Sequence, residues 1–356
     1  MLDSVRTQHR HIDIFETDAP SDYPFFDNMN ETKLSTMCAD EPGTGDQTPH
    51  PAAYCSIEEM QAAAESEGWS IDYRQLQAGR LVVGSVSGEC ATISLLDECA
   101  SGRIEAVGET PEGHITVVMP CGRNGLRING KSLDRRGLFV LKSRAEMHAV
   151  TGGHTRALGM HIPISHLKPT ERPDILIKDT RLFSPVSMIE SSPTSIERLR
   201  RLMCAAIYRP VSGRWQEERA SGLTTALAEV INKCDSSTSV DEDEPCTKRL
   251  RTIKRACEFI EAHLDEPIRI VQVCTYSRTT ISQLERTFRR ELQMSPGQYI
   301  RAHRLMSVNR KLIHANRNGD SITRIATDHG FTHLGRFAGA YREQFGELPS
   351  ETLNRK

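Results

Sequence analysis

The chain has 356 residues, 38% hydrophobic and 26% charged, with a formal net charge of −2, a composition ordinary for a soluble globular protein and a length that favours two domains. No run of about 18 apolar residues occurs, and the N-terminal "MLDSVRTQHRHIDIFETD" has no apolar core, so neither a membrane span nor a secretory signal is expected. The charge is uneven: residues 248–356 hold 20 Lys and Arg against 11 Asp and Glu, a net of +9, while residues 1–247 carry −11, which points to an anionic partner for the last third.

Residues 1–50 are polar, rich in Asp, Thr and Pro, and lack sustained periodicity, so they read as a disordered tail. In "SIEEMQAAAESEGW", Ser56 can cap a helix and Glu59 stands at the capping-box position. Short β-like runs follow: "IDYRQLQ", "RLVVGSV", "ATISLLD", "HITVVMP", "GLRING", "GLFVLKS" and "ALGMHIPI". Gly-rich turns separate them at the spacing of a sandwich or barrel. The stretch 51–170 is therefore expected to be a β-rich domain, and 171–234 a helical connector carrying Leu199, Leu202, Met203 and Ala206 on one stripe. The segment 235–247 reads as an acidic linker. Beyond it, Leu250, Ile253, Cys257, Ile260 and Leu264 recur at helical steps. Ser295–Pro296 is a cap followed by proline at the first helical position. The fold class expected is mixed: an N-terminal β-rich domain and a C-terminal all-α domain over 248–356.

The last third contains an internal repeat. Ile270, Val273 and Cys274 match Ile322, Ile325 and Ala326 at an offset of 52, as Thr280 matches Thr332, whereas Leu284 and Phe288 match Phe337 and Tyr341 at 53. Each copy reads as helix, tight turn, threonine cap and second helix, with Gly330 free to take positive φ in the turn "HGF". This is a helix-turn-helix pattern, twice. In the first copy Thr280 caps and Gln283 can return the bond. Leu284, Phe288 and Leu292 bury one face, while Ser282, Glu285, Arg286 and Arg289 point away. Arginine can bind guanine bidentately and glutamate can accept from cytosine, although Arg289 can instead pair with Glu285 at i+4.

"SQLERTFRRELQMSPGQYIRAHRL" and "SITRIATDHGFTHLGRFAGAYREQFGELPSE" resemble the DNA-binding domain of the AraC/XylS family of transcription regulators. The resemblance covers about 100 residues and implies two helix-turn-helix units on a rigid helix, reading successive major-groove segments of double-stranded DNA. More faintly, "SIEEMQAAAESEGWSIDYRQLQAGRLVVGSVSG" resembles the sensor domain of the ethanolamine-operon-activator branch. That implies a cupin-like (α+β) fold that takes a small-molecule effector or mediates homodimerisation. Carried over, the base-facing positions fall on Ser282, Glu285 and Arg286 in the first unit. In the second they fall on Leu334, Gly335, Ala338 and Gly339, with His333 and Arg336 nearby. The first unit is thus expected to specify sequence and the second to position the protein on phosphates. Arg278 and Thr279 depart from the usual glycine and apolar residue of the first turn. RNA polymerase is a family-implied partner, an activator the family-implied role, and the cytoplasm the expected location.

Other readings compete. A metal-dependent cupin-type enzyme with an accessory DNA-binding domain would need H-x-H and a carboxylate; His148, His154, His161 and His166 lack that spacing. An alkyl-acceptor repair protein would need a four-cysteine zinc cluster, and Cys38, Cys55, Cys90, Cys99 and Cys121 are unpaired in spacing. The ten cysteines include no C-x-x-C, which fits free thiols. The third alternative is a non-specific DNA-binding protein. No catalytic residue, metal or cofactor is expected. Trp69, Tyr73, Met119 and Met160 read as core rather than as an effector pocket.

Overall fold

A computed structural model describes residues 50–54, 56–121, 125–166, 185–209, 211–234, 244–315 and 321–354. The expected tail, apart from His50, and the acidic run 235–243 lie outside the described residues.

The N-terminal half is a β-rich domain of two sheets. One has seven strands in the order β1-β3-β4-β11-β6-β9-β12 and the other five, in the order β2-β5-β10-β7-β8. Their ranges are β1 His50–Tyr54, β2 Ser70–Gln75, β3 Val82–Cys90, β4 Ile93–Ser101, β5 Ile104–Glu109 and β6 His114–Pro120. There follow β7 Leu126–Ile128, β8 Lys131–Leu133, β9 Gly137–Leu141, β10 Glu146–Val150, β11 His154–Pro163 and β12 Val186–Glu190. Helix α1 (Ile57–Ser66) is capped by Ser56, whose Oγ accepts from Glu59 N at 3.2 Å. The stretch read as a helical connector begins differently among the described residues. Val186–Glu190 is a strand paired with β9, and α2 (Pro193–Tyr208) and α3 (Arg214–Asn232) follow it.

Strand alternation builds three layers. Leu138 and Val140 of β9 point to a core shared with Leu199, Met203, Leu223 and Leu227 of α2 and α3. Phe139 and Leu141 point the other way, to Ile71, Ala106, Ile128, Met147 and Ala149 of the smaller sheet. The helices therefore close the β domain's own core. Met119 and Met160 are 0% exposed within it.

The C-terminal half is all helical: α4 (Glu244–Ala262), α5 (Ile270–Ser277), α6 (Ile281–Glu291), α7 (Pro296–His314), α8 (Ile322–Asp328), α9 (Leu334–Phe345) and α10 (Pro349–Asn354). Helix α7 starts in a full capping box. Ser295 Oγ accepts from Gln298 N and Gln298 Oε1 accepts from Ser295 N. One core gathers Ile253, Cys257, Ile260, Val273, Leu284, Phe288 and Tyr299. A second gathers Leu305, Leu312, Ala326, Phe337 and Tyr341.

The turns of the two repeats match. Thr279 N donates to Cys274 O at 3.0 Å, and Phe331 N to Ala326 O at 3.0 Å. Gly330 has φ +80°, and its counterpart Arg278 takes φ 54°, ψ 51°. An arginine thus holds the left-handed conformation that suits glycine. Arg278→Gly is expected to raise the thermal stability of the full chain by about 0.5–1 kcal/mol. A lower melting temperature would show that the arginine side chain compensates its strain.

The outer face of the smaller sheet is covered by the helical half. Along β10, Met147 and Ala149 point inward and His148 and Val150 outward; along β5, Ala106 points inward and Glu105 outward. Val150 and Leu76 join the core of the first helix-turn-helix unit. Glu105, 0% exposed, accepts from Tyr299 OH at 2.9 Å and Arg74 Nη1 at 3.4 Å, and His148 Nε2 lies 2.8 Å away. Arg74 also meets Glu261 at 2.7 Å and Asp72 at 2.8 Å. The second unit is tied by a reciprocal pair: Gln75 Nε2 donates to Gln344 O at 3.2 Å and Gln344 Nε2 to Gln75 O at 3.1 Å. One strand, β2, therefore grips the backs of both units.

Candidate nucleic-acid interface

Helix α6 separates its faces cleanly. Leu284, Thr287 and Phe288 are buried, whereas Ser282, Gln283, Arg286 and Arg289 are exposed and Glu285 is half-buried. Thr280 Oγ1 accepts from Gln283 N at 3.3 Å, which fixes the first turn. Only this half of the expected capping box forms, so the Gln283 side chain is left on the exposed N-terminal turn. Arg289 Nε lies 3.7 Å from Glu285 Oε2, the i+4 pair weighed in the sequence. That leaves Arg286 as the cation near the start of this face without a carboxylate beside it among the described ion pairs.

The second unit differs in its start. Helix α9 begins at Leu334, and His333, not Thr332, occupies the cap position, with no side-chain capping bond. The physical reason is the one-residue drift of the repeat from 52 to 53, which moves Thr332 one place ahead of the cap. Thr332, His333, Gly335 and Arg336 are exposed, and Phe337, Ala340 and Tyr341 are buried. A Cβ added at Gly335 or Gly339 would meet nothing within 4 Å, so this face is bare. Gly339→Ala is expected to stabilise the chain by about 0.5–1 kcal/mol through helix propensity alone. A urea midpoint that falls would contradict that open surface.

Sequence reasoning placed Leu334 on the DNA-facing side of the second unit but missed its counterpart in the first, Ile281. Ile281 and Leu334, each the first residue of its helix, are 52% and 39% exposed. The signal was available: they share the 53-residue offset of the buried pairs. Their placement beside the polar positions gives each exposed face an apolar contact point.

The structure does not bring the four histidines together. His148 is in the smaller sheet against Glu105, whereas His161, in the larger sheet, lies 3.1 Å from Thr116 Oγ1 and packs edge-on to Trp69 at 4.9 Å. Burial, with His114 nearby, lowers the His161 pKa to about 4. His154, seven residues before His161, lies on the opposite face of β11. No group of three or more His, Cys, Asp or Glu among the described residues is placed to hold a metal ion. No helix among the described residues is long and apolar enough to cross a membrane.

Residues 273–355 match the family model described as a helix-turn-helix domain. XylDLEGF operon transcriptional activator 2 of Pseudomonas putida is 35% identical over 132 residues, 37% of this chain and 80% of that protein. XylDLEGF operon transcriptional activator 3 of the same organism is 33% identical over 143 residues, but the match spans only 41% of its length and 40% of this chain. A crystal structure described as a probable AraC family transcriptional regulator from Rhodopseudomonas palustris shares 32% identity, with 29% of this chain and 95% of that one covered and a TM-score of 0.28. With tandem helix-turn-helix units and a relative covered over most of its length, the chain belongs to the AraC/XylS family of transcription regulators.

Proposed function

We propose that the protein is a sequence-specific DNA-binding transcription activator, without catalytic activity, working in the cytoplasm. The observation that carries this reading is the exposed polar face of α6, with Ser282, Glu285 and Arg286 on a helix whose start is fixed by Thr280. In this reading Arg286 reads guanine in the major groove, Glu285 accepts from cytosine, and Ser282, Gln283 and Arg289 support them at the bases or phosphates. The bare start of α9 suits close approach to the backbone, with Arg336, His333 and Thr332 on phosphates. Bound at a promoter, the protein acts through RNA polymerase, and the β-rich domain takes an effector or pairs with a second copy.

The test is a gel-shift titration of a candidate operator and a scrambled duplex at two salt concentrations. The reading expects the operator to be preferred by about 10³-fold or more at the higher salt. Equal affinities, both collapsing as salt rises, would reduce the protein to a non-specific DNA binder.

A further inference from the structure

Among the described residues, five large apolar side chains stand exposed: Trp215, Val271, Tyr276, Ile281 and Leu334. A single exposed apolar residue needs no explanation. Two of the five differ, because the internal repeat carries them. Ile281 and Leu334 are 53 residues apart, the offset of the buried pairs Leu284–Phe337 and Phe288–Tyr341. Val271 and Tyr276 have no such match, for at their own offset of 52 stand Thr323 and Asp328. Trp215 lies in α3, outside the repeat.

Ile281 and Leu334 each open the second helix of their unit. Neither is among the apolar side chains packed on the two helical cores, so the cores do not account for them. A β-branched isoleucine also gives a helix no advantage over a straight-chain residue. Their surroundings favour one occupant. Neither helix has an acidic residue in its first turn, exposed Arg286 and Arg336 follow on the same helices, and residues 248–356 carry a net charge of +9. A positive helix end with a cation nearby suits a polyanion. Within the major groove of DNA, the apolar group that such a side chain can meet is the C5-methyl of thymine. In docked helix-turn-helix units the N-terminal residues of the second helix contact base edges, and Ile281 and Leu334 occupy that place. In α6 a methyl contact would add to the hydrogen-bonding side chains of Ser282, Glu285 and Arg286. In α9 it would stand almost alone, since Gly335 and Gly339 leave the face bare.

We propose that Ile281 and Leu334 are specificity-determining residues, each reading the C5-methyl of one thymine, in major-groove segments one helical turn apart. Both roles rest on the DNA-reading function proposed above and add two residues to it. The second unit then has a base preference of its own besides its phosphate contacts.

The experiment uses the full chain and the duplex recovered by binding-site selection, with deoxyuridine put in place of each thymidine in turn. Uracil pairs as thymine does and lacks only the methyl group. The wild-type protein is expected to lose about threefold to fourfold in affinity at one position in each segment, the worth of one buried methyl. I281A is expected to bind the thymine and uracil duplexes equally at the first position and to keep the difference at the second. L334A should show the reverse. The ratio is internal to each variant, so partial unfolding, which lowers both affinities alike, does not imitate it. The wild-type scan carries the test alone if a variant fails to fold. Uracil tolerated at every position by the wild type would overturn the proposal, while the recovered motif would keep the DNA reading standing. Unchanged affinity in both variants would then leave the pair to a protein partner. Uracil sensitivity unaltered in I281A and L334A would also overturn it. Recovery of no motif would overturn both readings.

Discussion

Glu105→Ala is expected to destabilise the full chain by about 3 kcal/mol or more, the cost of breaking a buried ion pair from one side. Glu105 is fully buried between the two halves, and its carboxylate is the common partner of Arg74, Tyr299 and His148. Its loss leaves the Arg74 guanidinium, 8% exposed, with only the rim carboxylates Asp72 and Glu261, which are 48% and 36% exposed. Burial alone would raise the pKa of Glu105, but the imidazoles of His148 and His303 and the Arg74 charge more than reverse it and hold the carboxyl well below its ordinary value. A depressed carboxylate contributes stability above its unfolded pKa, about 4.3. That contribution is lost as pH falls through the lower folded value. Glu105→Gln should therefore flatten the fall in stability below about pH 4.3. Urea denaturation across pH checks both points. A loss under about 1 kcal/mol for Glu105→Ala would mean that water fills the boundary and the halves move apart.

Arg286→Ala is expected to lower affinity for a selected operator by about 1–3 kcal/mol, roughly tenfold to a hundredfold, while leaving binding to random DNA nearly unchanged. The side chain is exposed near the start of α6 and has no carboxylate beside it among the described ion pairs, unlike Arg289. Its freedom is therefore available for a base. Arg336→Ala, on the bare face of α9, should weaken all duplexes alike and reduce the salt slope by about one. Titrations on operator and scrambled DNA separate the two. The reverse pattern would assign sequence reading to the second unit instead.

The tandem helix-turn-helix was legible because its determinants are local. Thr280 and Ser295 are caps, Gly330 is a positive-φ turn residue, and Leu284, Phe288, Phe337 and Tyr341 fall at helical spacing. The Thr332 assignment failed because the repeat slips by one residue between its buried and capping positions. Arg278 stood out in the sequence only as a departure from the usual turn glycine, and its left-handed conformation is imposed by the surrounding turn rather than by its own residue type. In the β-rich half, β5 and β10 escaped notice because "IEAVGE" and "EMHAV" place charged or polar residues on their outer face. Alternation predicts that such a face meets water. Here it meets the helical half, so Glu105 and Arg74 are buried by a partner surface 150 or more residues away in sequence, Glu261 and Tyr299 included.

The central claim is that this chain reads DNA sequence, and selection of binding sites from random duplexes by the full protein tests it most directly. The account predicts a recovered motif spanning about two helical turns, with its strongest base preference in the segment facing α6 and weaker preference one turn, about 34 Å, away. Recovery of no motif, with retention that vanishes as salt is raised, would contradict it.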